Sequence, residues 1–427
     1  MSLTAARLER LLWIACPVLL FVVMFGHMTA IMFYGLVLLL IGTLAAAWSA
    51  LRAGPLRWPL ALPIALWAGW TLASATWSFA PLVTLHAWLD EVLYPLVAFW
   101  GFWVLGTKTA RPERFVLVTW AACALLVLTS VVYWGQLQPP TADTFLLHYY
   151  NRVGHTSTLA LFALTLFSAL LLRRRWLPAG AAGLAMCLFI GLATLNRFFW
   201  PSVALTLLVA LYPLYRRHLV LTAVAVVLVA VAGLGSLEMS ARIRLGAAAA
   251  APAPSGFEIA GHPLYLPHSL VGIGDTVEND TRPRLWAFYR HAGVPHKWIG
   301  IGFGKPLPGL AFKSTMPEAL LKFEPVALTH AHNLFLNTWL QTGVIGVVLQ
   351  IVLLAALVAR FWRLRRVDAW LCAAGIALVV GMIVKNITDD FMWQTTMLAF
   401  WSFAGLMLGC GERRRGQQAA LRGASAV

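Results

Sequence analysis

Apolar runs of about 20 residues recur along most of the chain, separated by arginines, prolines and short polar stretches. A helix of about 20 residues crosses the hydrocarbon core of a bilayer, so each run predicts a membrane-spanning helix. The alternating short segments that are typical of transmembrane barrels are not evident. The pattern predicts an all-α polytopic membrane protein with about 12 transmembrane helices, at roughly 11–26, 31–51, 59–77, 84–105, 115–135, 154–172, 177–195, 198–215, 219–235, 332–358, 369–386 and 391–409.

Two connections between these runs are long, at 136–153 and 236–331. The second divides the chain into spans one to nine (1–235), a long loop (236–331), and spans ten to twelve with a basic tail (332–427). The loop opens with an Ala/Pro/Gly tract, which predicts a flexible or weakly helical edge. Aromatic residues alternate with charges at 281–293, which predicts an amphipathic helix on the membrane surface. About 95 residues suffice for a lid with short helices but hardly for an independent enzyme domain.

Composition supports the membrane class and gives the chain an orientation. Hydrophobic residues make up 60% of the 427 residues, charged residues 11%, and the formal net charge is +16. One face of the predicted bundle holds 20 of the 32 basic residues, while basic and acidic residues balance on the other. Basic residues accumulate on the cytoplasmic side of membrane proteins, so both termini are predicted to be cytoplasmic. The charge excess is therefore a topology signal, and nucleic-acid binding is not expected.

The five cysteines fall within predicted spans or, for Cys410, at the cytoplasmic edge of the last one. None lies in the long loop. The loop therefore offers neither a disulfide framework nor a zinc site.

The polar residues best suited to catalysis or to binding a charged substrate gather at one level, the non-cytoplasmic ends of the predicted spans. Polar groups at membrane depth are costly, so a convergent set is a candidate functional site. The set comprises Arg152, His155, Arg197, Arg282, Arg284, His330, His332, Lys385, Asp389 and Asp390.

Arginines and a histidine at this level suit a substrate that carries phosphate. Arginine presents a fork of donors that matches phosphate oxygens, and histidine takes up a proton near neutral pH. Together they favour the displacement of a phosphate-type leaving group by a hydroxyl. Because ATP is absent outside the cytoplasm, the donor is expected to be activated already, as in a lipid-linked diphosphate sugar. For Arg197 alone, an interfacial anchor for lipid phosphates is an equal alternative.

Two further motifs are weaker signals. The glycine alternation in WIGIGFGKP (298–306) follows no Rossmann-type strand and lies on the wrong side of the membrane for nucleotide binding. It favours a tight turn, with backbone N–H groups near an anion as the alternative. Asp90 and Glu91 suggest either a catalytic or metal-binding carboxylate pair or structural pairing. Because no Asp-x-Asp motif accompanies them, structural pairing is favoured.

An ordered set of motifs resembles the O-antigen ligase and polymerase superfamily. Arg282 to Trp286 form R-x-x-x-W, Gly300 to Gly304 form GIGFG, and His332 opens H-N-x-x-L, followed by TGVIG. The resemblance implies a multi-pass enzyme of the bacterial inner membrane with one long periplasmic loop. It further implies a metal-independent glycosyltransferase without cofactor. The donor would be O-antigen on undecaprenyl diphosphate, and the acceptor a sugar hydroxyl of lipid A–core in lipopolysaccharide biosynthesis.

The resemblance also assigns residues. His332 would be the general base, and Arg282 and Arg197 would stabilise the diphosphate. The sequence THAHN carries a second histidine, His330, which competes for the role of base; the order of the following residues favours His332. Asp389 matches a carboxylate of the family, although Asp390 leaves the register open. Further substrate contacts are expected from Arg152, His155, Arg284, His330, Asn333 and Asp389.

Three alternative functions remain open at the level of sequence. An O-antigen polymerase and a protein O-oligosaccharyltransferase share these motifs and differ in the acceptor. The second often carries an additional periplasmic region after the last span, whereas here about 18 residues of basic tail follow. A flippase or transporter of lipid-linked glycan requires polar groups along a path through the membrane, whereas the polar groups here gather at one depth.

Overall fold

The computed structural model describes the chain except for residues 1–2, 26–29, 133–152, 172–173, 195, 197, 216–217, 221–222, 225, 232, 236–252, 260–261, 267–281, 324–329 and 425–427.

Helices account for most of the described residues. The α-helices of the first half are α1 Leu3–Glu9, α2 Leu12–Val22, α3 Ala30–Ala53, α4 Ala61–Ala73, α5 Pro81–Trp88, α6 Tyr94–Lys108, α7 Glu113–Val132, α8 Val153–Ser168, α9 Leu177–Ala193, α10 Phe199–Ala210 and α11 Tyr212–Tyr215. Those of the second half are α12 Arg282–Ala292, α13 Leu307–Phe312, α14 Glu318–Phe323, α15 Leu334–Trp362, α16 Ala369–Ile387 and α17 Thr395–Ala424. A π-helical segment, Leu89–Leu93, joins α5 to α6. Short 3-10 turns occur at Val23–Phe25, Ser74–Thr76, Arg174–Trp176, Val294–His296 and Lys313–Thr315.

Within the described ranges, seven helical stretches are long and apolar enough to cross a membrane. The expectation of a multi-pass helical membrane protein is confirmed, whereas the number of twelve spans is not. The predicted third, sixth and eighth spans correspond to α4, α8 and α10, with 13, 16 and 12 residues. The ninth (219–235) lies partly outside the described residues. The seven stretches are Ala5–Phe25, Ala30–Ala53, Pro81–Lys108, Glu113–Val132, Arg174–Ala193, Leu334–Trp362 and Ala369–Ile387.

The described part of the long loop contains a hairpin that was not predicted and a helix that was. A two-stranded antiparallel hairpin, β1 Ala253–Ile259 and β2 His262–Leu266, follows the Ala/Pro/Gly tract. Most of the Ala/Pro/Gly tract, predicted as a flexible or weakly helical edge, lies outside the described residues. At its last residues, 253–256, a strand forms, and the prolines within both strands disfavour helix. Helix α12 forms where the amphipathic helix was predicted. Its apolar residues Leu285 and Tyr289 are buried against other residues of the protein.

Helix α16 is the most enclosed of the seven stretches and leads directly to the polar residues. Of its apolar window, 72% is buried inside the protein, compared with 33–44% for the other six. The C-terminal helix α17 packs closely on α6, where a Cβ at Gly405 would lie 2.2 Å from the Phe99 carbonyl oxygen. Small residues at such contacts allow membrane helices to approach closely. Charged side chains at the end of α16 are therefore surrounded by protein and not by lipid.

Helix α15 is broken at Gly343, and the segment 298–306, the glycine loop, lies against the break. Gly343 has a left-handed φ of 68°. Across the break, Ile301 N–H donates to the Leu340 carbonyl at 3.0 Å, and Val344 N–H donates to the Lys297 carbonyl at 2.8 Å. The indole of Trp70 donates to the Thr342 carbonyl at 3.0 Å. A break inside a membrane helix is tolerated because neighbouring groups pair with the exposed backbone.

Replacing Gly343 by alanine is expected to destabilise the protein by at least about 2 kcal/mol. A Cβ there would lie 2.1 Å from the Trp298 carbonyl carbon, and the left-handed backbone adds its own strain. Unfolding in detergent, followed by circular dichroism, measures the effect. Gly69→Ala is the matched control, because Gly69 lies within α4 with no atom within 4 Å of an added Cβ. Equal stability of the two variants would contradict the packing described for the break.

Candidate active site

Asp389 lies at the centre of a cluster of charged side chains just beyond the end of α16. Its Oδ1 accepts a hydrogen bond from Arg282 Nη2 at 2.8 Å and lies 3.8 Å from His332 Nδ1. Its Oδ2 lies 3.5 Å from Lys385 Nζ, one turn earlier on α16. The Asp389 side chain is only 3% exposed. Three segments that are far apart in the chain thus meet around one buried carboxylate.

Local hydrogen bonds explain why the chain brings these residues together. Asn333 caps α15, since its Oδ1 accepts from Leu336 N–H at 2.9 Å. Its Nδ2 donates to the Ile387 carbonyl at 2.8 Å and so ties the start of α15 to the end of α16. Asn386 Oδ1 accepts from Phe391 N–H at 2.7 Å, which shapes the non-helical turn that follows α16. These two asparagines place the carboxylate at position 389 beside the histidine at 332.

His332 has an unusual backbone conformation. Its φ is 48°, in the left-handed region that non-glycine residues seldom adopt. Such a conformation costs of order 1–3 kcal/mol and is concentrated at functional sites. The preceding residue is held in place, because Trp286 of α12 donates to the Ala331 carbonyl at 2.8 Å. The backbone that leads into His332 is therefore held in place, and the imidazole lies with its Nδ1 edge towards Asp389, 3.8 Å from Oδ1.

The electrostatics of Asp389 reflect its three partners. Burial alone raises the pKa of this carboxyl. The charge of Lys385, the contact with the imidazole, and the charge and hydrogen bond of Arg282 outweigh burial and lower the pKa to about 2. The carboxyl is therefore ionised throughout the neutral range.

This lowered pKa predicts a pH dependence of stability. The ionised carboxylate is favoured in the folded protein, so its contribution of roughly 2 kcal/mol is complete above the ordinary aspartate pKa of about 3.9. The contribution is lost as the pH falls from about 4 through about 2. Asp389→Asn should be less stable than the wild type at pH 7, with a difference that shrinks over that interval. Thermal unfolding in detergent between pH 7 and 2.5 tests this, and parallel curves would contradict it.

His330 lies against His332, with ring centroids 4.2 Å apart. Burial, together with the charge of Lys305 and the neighbouring imidazoles, lowers the pKa of His330 well below its usual value. His330 therefore stays neutral at physiological pH. The structure thus places the two imidazoles of the THAHN motif against each other.

A second buried ion pair adjoins the first, and the sequence interpretation missed its role. Lys305 Nζ lies 2.9 Å from Asp390 Oδ1, and both side chains are under 5% exposed. Asn337 Nδ2 donates to Asp390 Oδ2 at 2.8 Å. Two features of the sequence could have indicated this pair: a lysine directly after the GIGFG motif, and an asparagine within an apolar run. Adjacent aspartates thus face different partners, Asp389 the histidine and the arginine, and Asp390 the lysine and the amide.

The backbone N–H groups of the glycine motif do not point towards a site for a bound anion. Its N–H groups at 300 to 304 all donate to other parts of the protein. Gly304 N–H, for example, donates to Gln341 Oε1 at 2.8 Å. The tight turn predicted for this segment agrees with the structure, whereas the alternative of N–H groups near an anion does not.

Asp90 and Glu91 lie in the π-helical segment and belong to the same region. The Glu91 carboxylate accepts from the backbone N–H of Lys305, and the Asp90 carboxylate accepts from the side chain of Gln394. These contacts agree with the favoured interpretation, structural pairing. In the part of the chain that the structure describes, no three His, Cys, Asp or Glu side chains converge as metal ligands.

The remaining predicted residues divide into three groups. His155 joins the cluster through Phe391, with ring centroids 5.4 Å apart. Arg284 is exposed on α12, and no described contact links it to Asp389. Arg152 and Arg197 lie outside the described residues, so the structure does not test their predicted positions.

Comparison with known proteins agrees with the motifs. Residues 144–351 match the family model described as O-antigen ligase. The matched region contains Arg282, Lys305 and His332, while Asp389 follows it. No curated protein matches the chain. The apolar helices identify the chain as a multi-pass membrane protein, and over residues 144–351 it is similar to the O-antigen ligase family.

Proposed function

We propose that this protein is an O-antigen ligase. It transfers O-antigen polysaccharide from undecaprenyl diphosphate to a sugar hydroxyl of lipid A–core at the periplasmic face of the inner membrane. The observation that carries the proposal is the meeting of Arg282 and His332 at one oxygen of Asp389. Arg282 Nη2 lies 2.8 Å from Asp389 Oδ1, and His332 Nδ1 lies 3.8 Å from it. A proton acceptor and a phosphate-binding fork side by side are what a displacement at a glycosyl diphosphate requires.

In the proposed reaction, a hydroxyl oxygen of the core sugar attacks the anomeric carbon of the donor. A new carbon–oxygen bond forms there, and the bond from that carbon to the diphosphate oxygen breaks. His332 takes the hydroxyl proton on Nε2, because its Nδ1 edge faces Asp389. The carboxylate holds the ring in place and stabilises the imidazolium that results. The electron pair of the broken bond leaves with undecaprenyl diphosphate.

The cluster has the charge to receive that leaving group. Arg282 and Lys385 carry two positive charges, and Asp389 compensates one of them. One net positive charge therefore remains in a largely buried place, where its effect on a diphosphate is greater than in water. The guanidinium of Arg282 lies 4.7 Å from the centroid of the Phe198 ring, which fixes its plane. Arg197, Arg152, Arg284 and Asn333 are proposed to make further contacts with the substrates.

The position of the cluster suits lipid substrates. It lies where α15 begins and α16 ends, at one end of two membrane-spanning stretches. A diphosphate at headgroup level would reach this end, while the polyprenyl tail would occupy the apolar space between helices. With both termini in the cytoplasm, this end faces the periplasm. The long loop (236–331) is proposed to act as a lid, and its helix α12 supplies Arg282.

Transfer by purified protein in vitro tests the proposal. The reaction contains carrier-linked O-antigen and lipid A–core, with and without a chelator of divalent metals. Core lipid that carries O-antigen is the expected product, at the same rate with the chelator because the proposed chemistry needs no metal. Growth of the donor glycan without core would indicate a polymerase, and glycan on a protein acceptor an oligosaccharyltransferase. In cells, a deletion that traps the carrier on the cytoplasmic side would indicate a flippase.

A further inference from the structure

Lys305 is enclosed at the end of the glycine loop. Its side chain is 3% exposed, whereas that of Arg282 is 26% exposed. Its ammonium lies 2.9 Å from Asp390 and 5.9 Å from the centroid of the Trp393 ring. A cation in these surroundings is directed towards the interior of the protein. Lys305 is therefore unsuited to bind the diphosphate directly.

The loop that carries Lys305 is held rigidly. Gly300 has a φ of 72°, and a Cβ there would lie 2.2 Å from the Gln341 carbonyl oxygen. Phe303 N–H donates to Ser74 Oγ at 2.9 Å, and the next residue donates to the Gln341 side chain. The backbone of Lys305 itself donates to the carboxylate of Glu91. The loop is thus fixed on α15, on the turn after α4 and on the π-helical segment.

Asp390, the partner of Lys305, links the two segments that carry the proposed chemistry. It directly follows Asp389, and its other oxygen accepts from Asn337 at 2.8 Å. The carbonyl oxygen of the Asn337 amide lies 3.5 Å from the backbone nitrogen of Ala331, the neighbour of His332. Through Asp390, Lys305 is therefore linked to the neighbouring Asp389 along the backbone, and through Asn337 to the backbone next to His332.

We infer that Lys305 is a positioning residue for the transfer reaction: its buried ion pair with Asp390 sets the position of Asp389 against His332. This inference rests on the proposed function, because it requires that the histidine and its carboxylate do the chemistry. It also gives a role to the GIGFGK sequence. The glycines dock the loop on the break in α15, and the lysine at its end fixes the reactive turn.

Removal of the lysine charge leaves the buried Asp390 with the amide of Asn337 as its remaining partner among the described residues. An uncompensated buried charge is strongly unfavourable, so the turn 388–391 shifts or the carboxyl takes up a proton. Either change alters the contact between Asp389 and His332. A shift of about 1 Å at a reacting group is expected to cost of order 10²-fold in rate.

Steady-state kinetics of the full-length protein in the transfer assay test the inference. Lys305→Met keeps a long unbranched side chain and removes its positive charge. We expect its kcat to fall at least tenfold, with KM for the carrier-linked glycan within about twofold of the wild type. Lys297→Met is the matched control, since that side chain is exposed directly before the glycine loop, and it should leave both parameters unchanged.

A double variant, Lys305→Met with Asp390→Asn, separates positioning from stability. Neutralising both partners avoids the uncompensated charge, so its melting temperature should return towards that of the wild type. Its kcat should remain at least tenfold below the wild type, because the ion pair is still absent. Recovery of full kcat would overturn the inference and leave the pair with a role in stability alone.

Other outcomes also decide the question. Unchanged kinetics of Lys305→Met overturn the inference, as does a raised KM with unchanged kcat, which would make Lys305 a donor-binding residue. Both results require an active wild type and leave the proposed function intact. A wild type that transfers no O-antigen removes the proposed function and this inference together.

Discussion

Replacing His332 by alanine is expected to reduce O-antigen transfer by at least about 10³-fold while the protein still inserts and folds. A positioned general base contributes of order 10²–10⁴ to such a reaction, and His332 is the histidine whose Nδ1 lies 3.8 Å from Asp389. Alanine keeps a Cβ at this left-handed position, so the backbone strain is the same in both proteins and a loss of transfer reports on the missing imidazole. In vitro transfer, with melting temperature in detergent, measures both effects.

His291→Ala is the matched control for this experiment. His291 is an exposed histidine near the end of α12, and its removal should leave transfer unchanged. Normal capping of lipid A–core by His332→Ala would remove the general-base assignment. If His330→Ala abolished transfer under those conditions, the role would pass to His330, whose ring lies 4.2 Å away.

The second large effect is expected at Arg282, where lysine should lower kcat/KM by about 10²-fold. The substitution preserves the charge but replaces a planar fork of donors by a single ammonium. One arm of that fork is already used on Asp389, at 2.8 Å, and the plane is set by Phe198. Lysine cannot bond to Asp389 and present a second, parallel donor to a phosphate oxygen. Loss of one donor at a developing negative charge typically costs 10²–10³.

Arg290→Lys provides the comparison, because Arg290 is exposed on the same helix. It should retain the kcat/KM of the wild type. Full activity of Arg282→Lys would indicate that this arginine serves only as a point charge or an interfacial anchor. Lost activity accompanied by an equal loss of folded protein would indicate that its bond to Asp389 is structural.

The motifs of the sequence singled out residues that the structure brings together, but they did not indicate how these residues pair. Arg282, His332 and Asp389 were singled out as residue types at one level of the membrane. The order of residues left Asp389 and Asp390 interchangeable, and it left Lys305 without a role. Packing separates the two aspartates, because the turn after α16 directs one towards α12 and the other towards the glycine loop.

Local sequence patterns also do not show where a helix ends or what covers it, and this explains the differences between the predicted and the observed helices. Hydropathy detects length and apolar content, so it joined α4 to the 3-10 turn that follows as one span. That turn ends the helix where Ser74 accepts from the glycine loop, a contact 229 residues away in sequence. Similarly, the amphipathic pattern of α12 predicted a membrane-facing helix. Its apolar face is instead covered by Met316 and Leu340 of the protein itself.

The sequence by itself determined that this is a multi-pass helical membrane protein, and its ordered motifs indicated the O-antigen ligase superfamily. Both depend on local features, namely apolar runs and residue spacing. The tertiary structure alone decided that a buried carboxylate joins Arg282, Lys385 and His332, and that Lys305 lies behind it on Asp390. These contacts join residues up to about 100 positions apart. They exist because helix packing and the break at Gly343 bring the segments together, and no local pattern encodes that geometry.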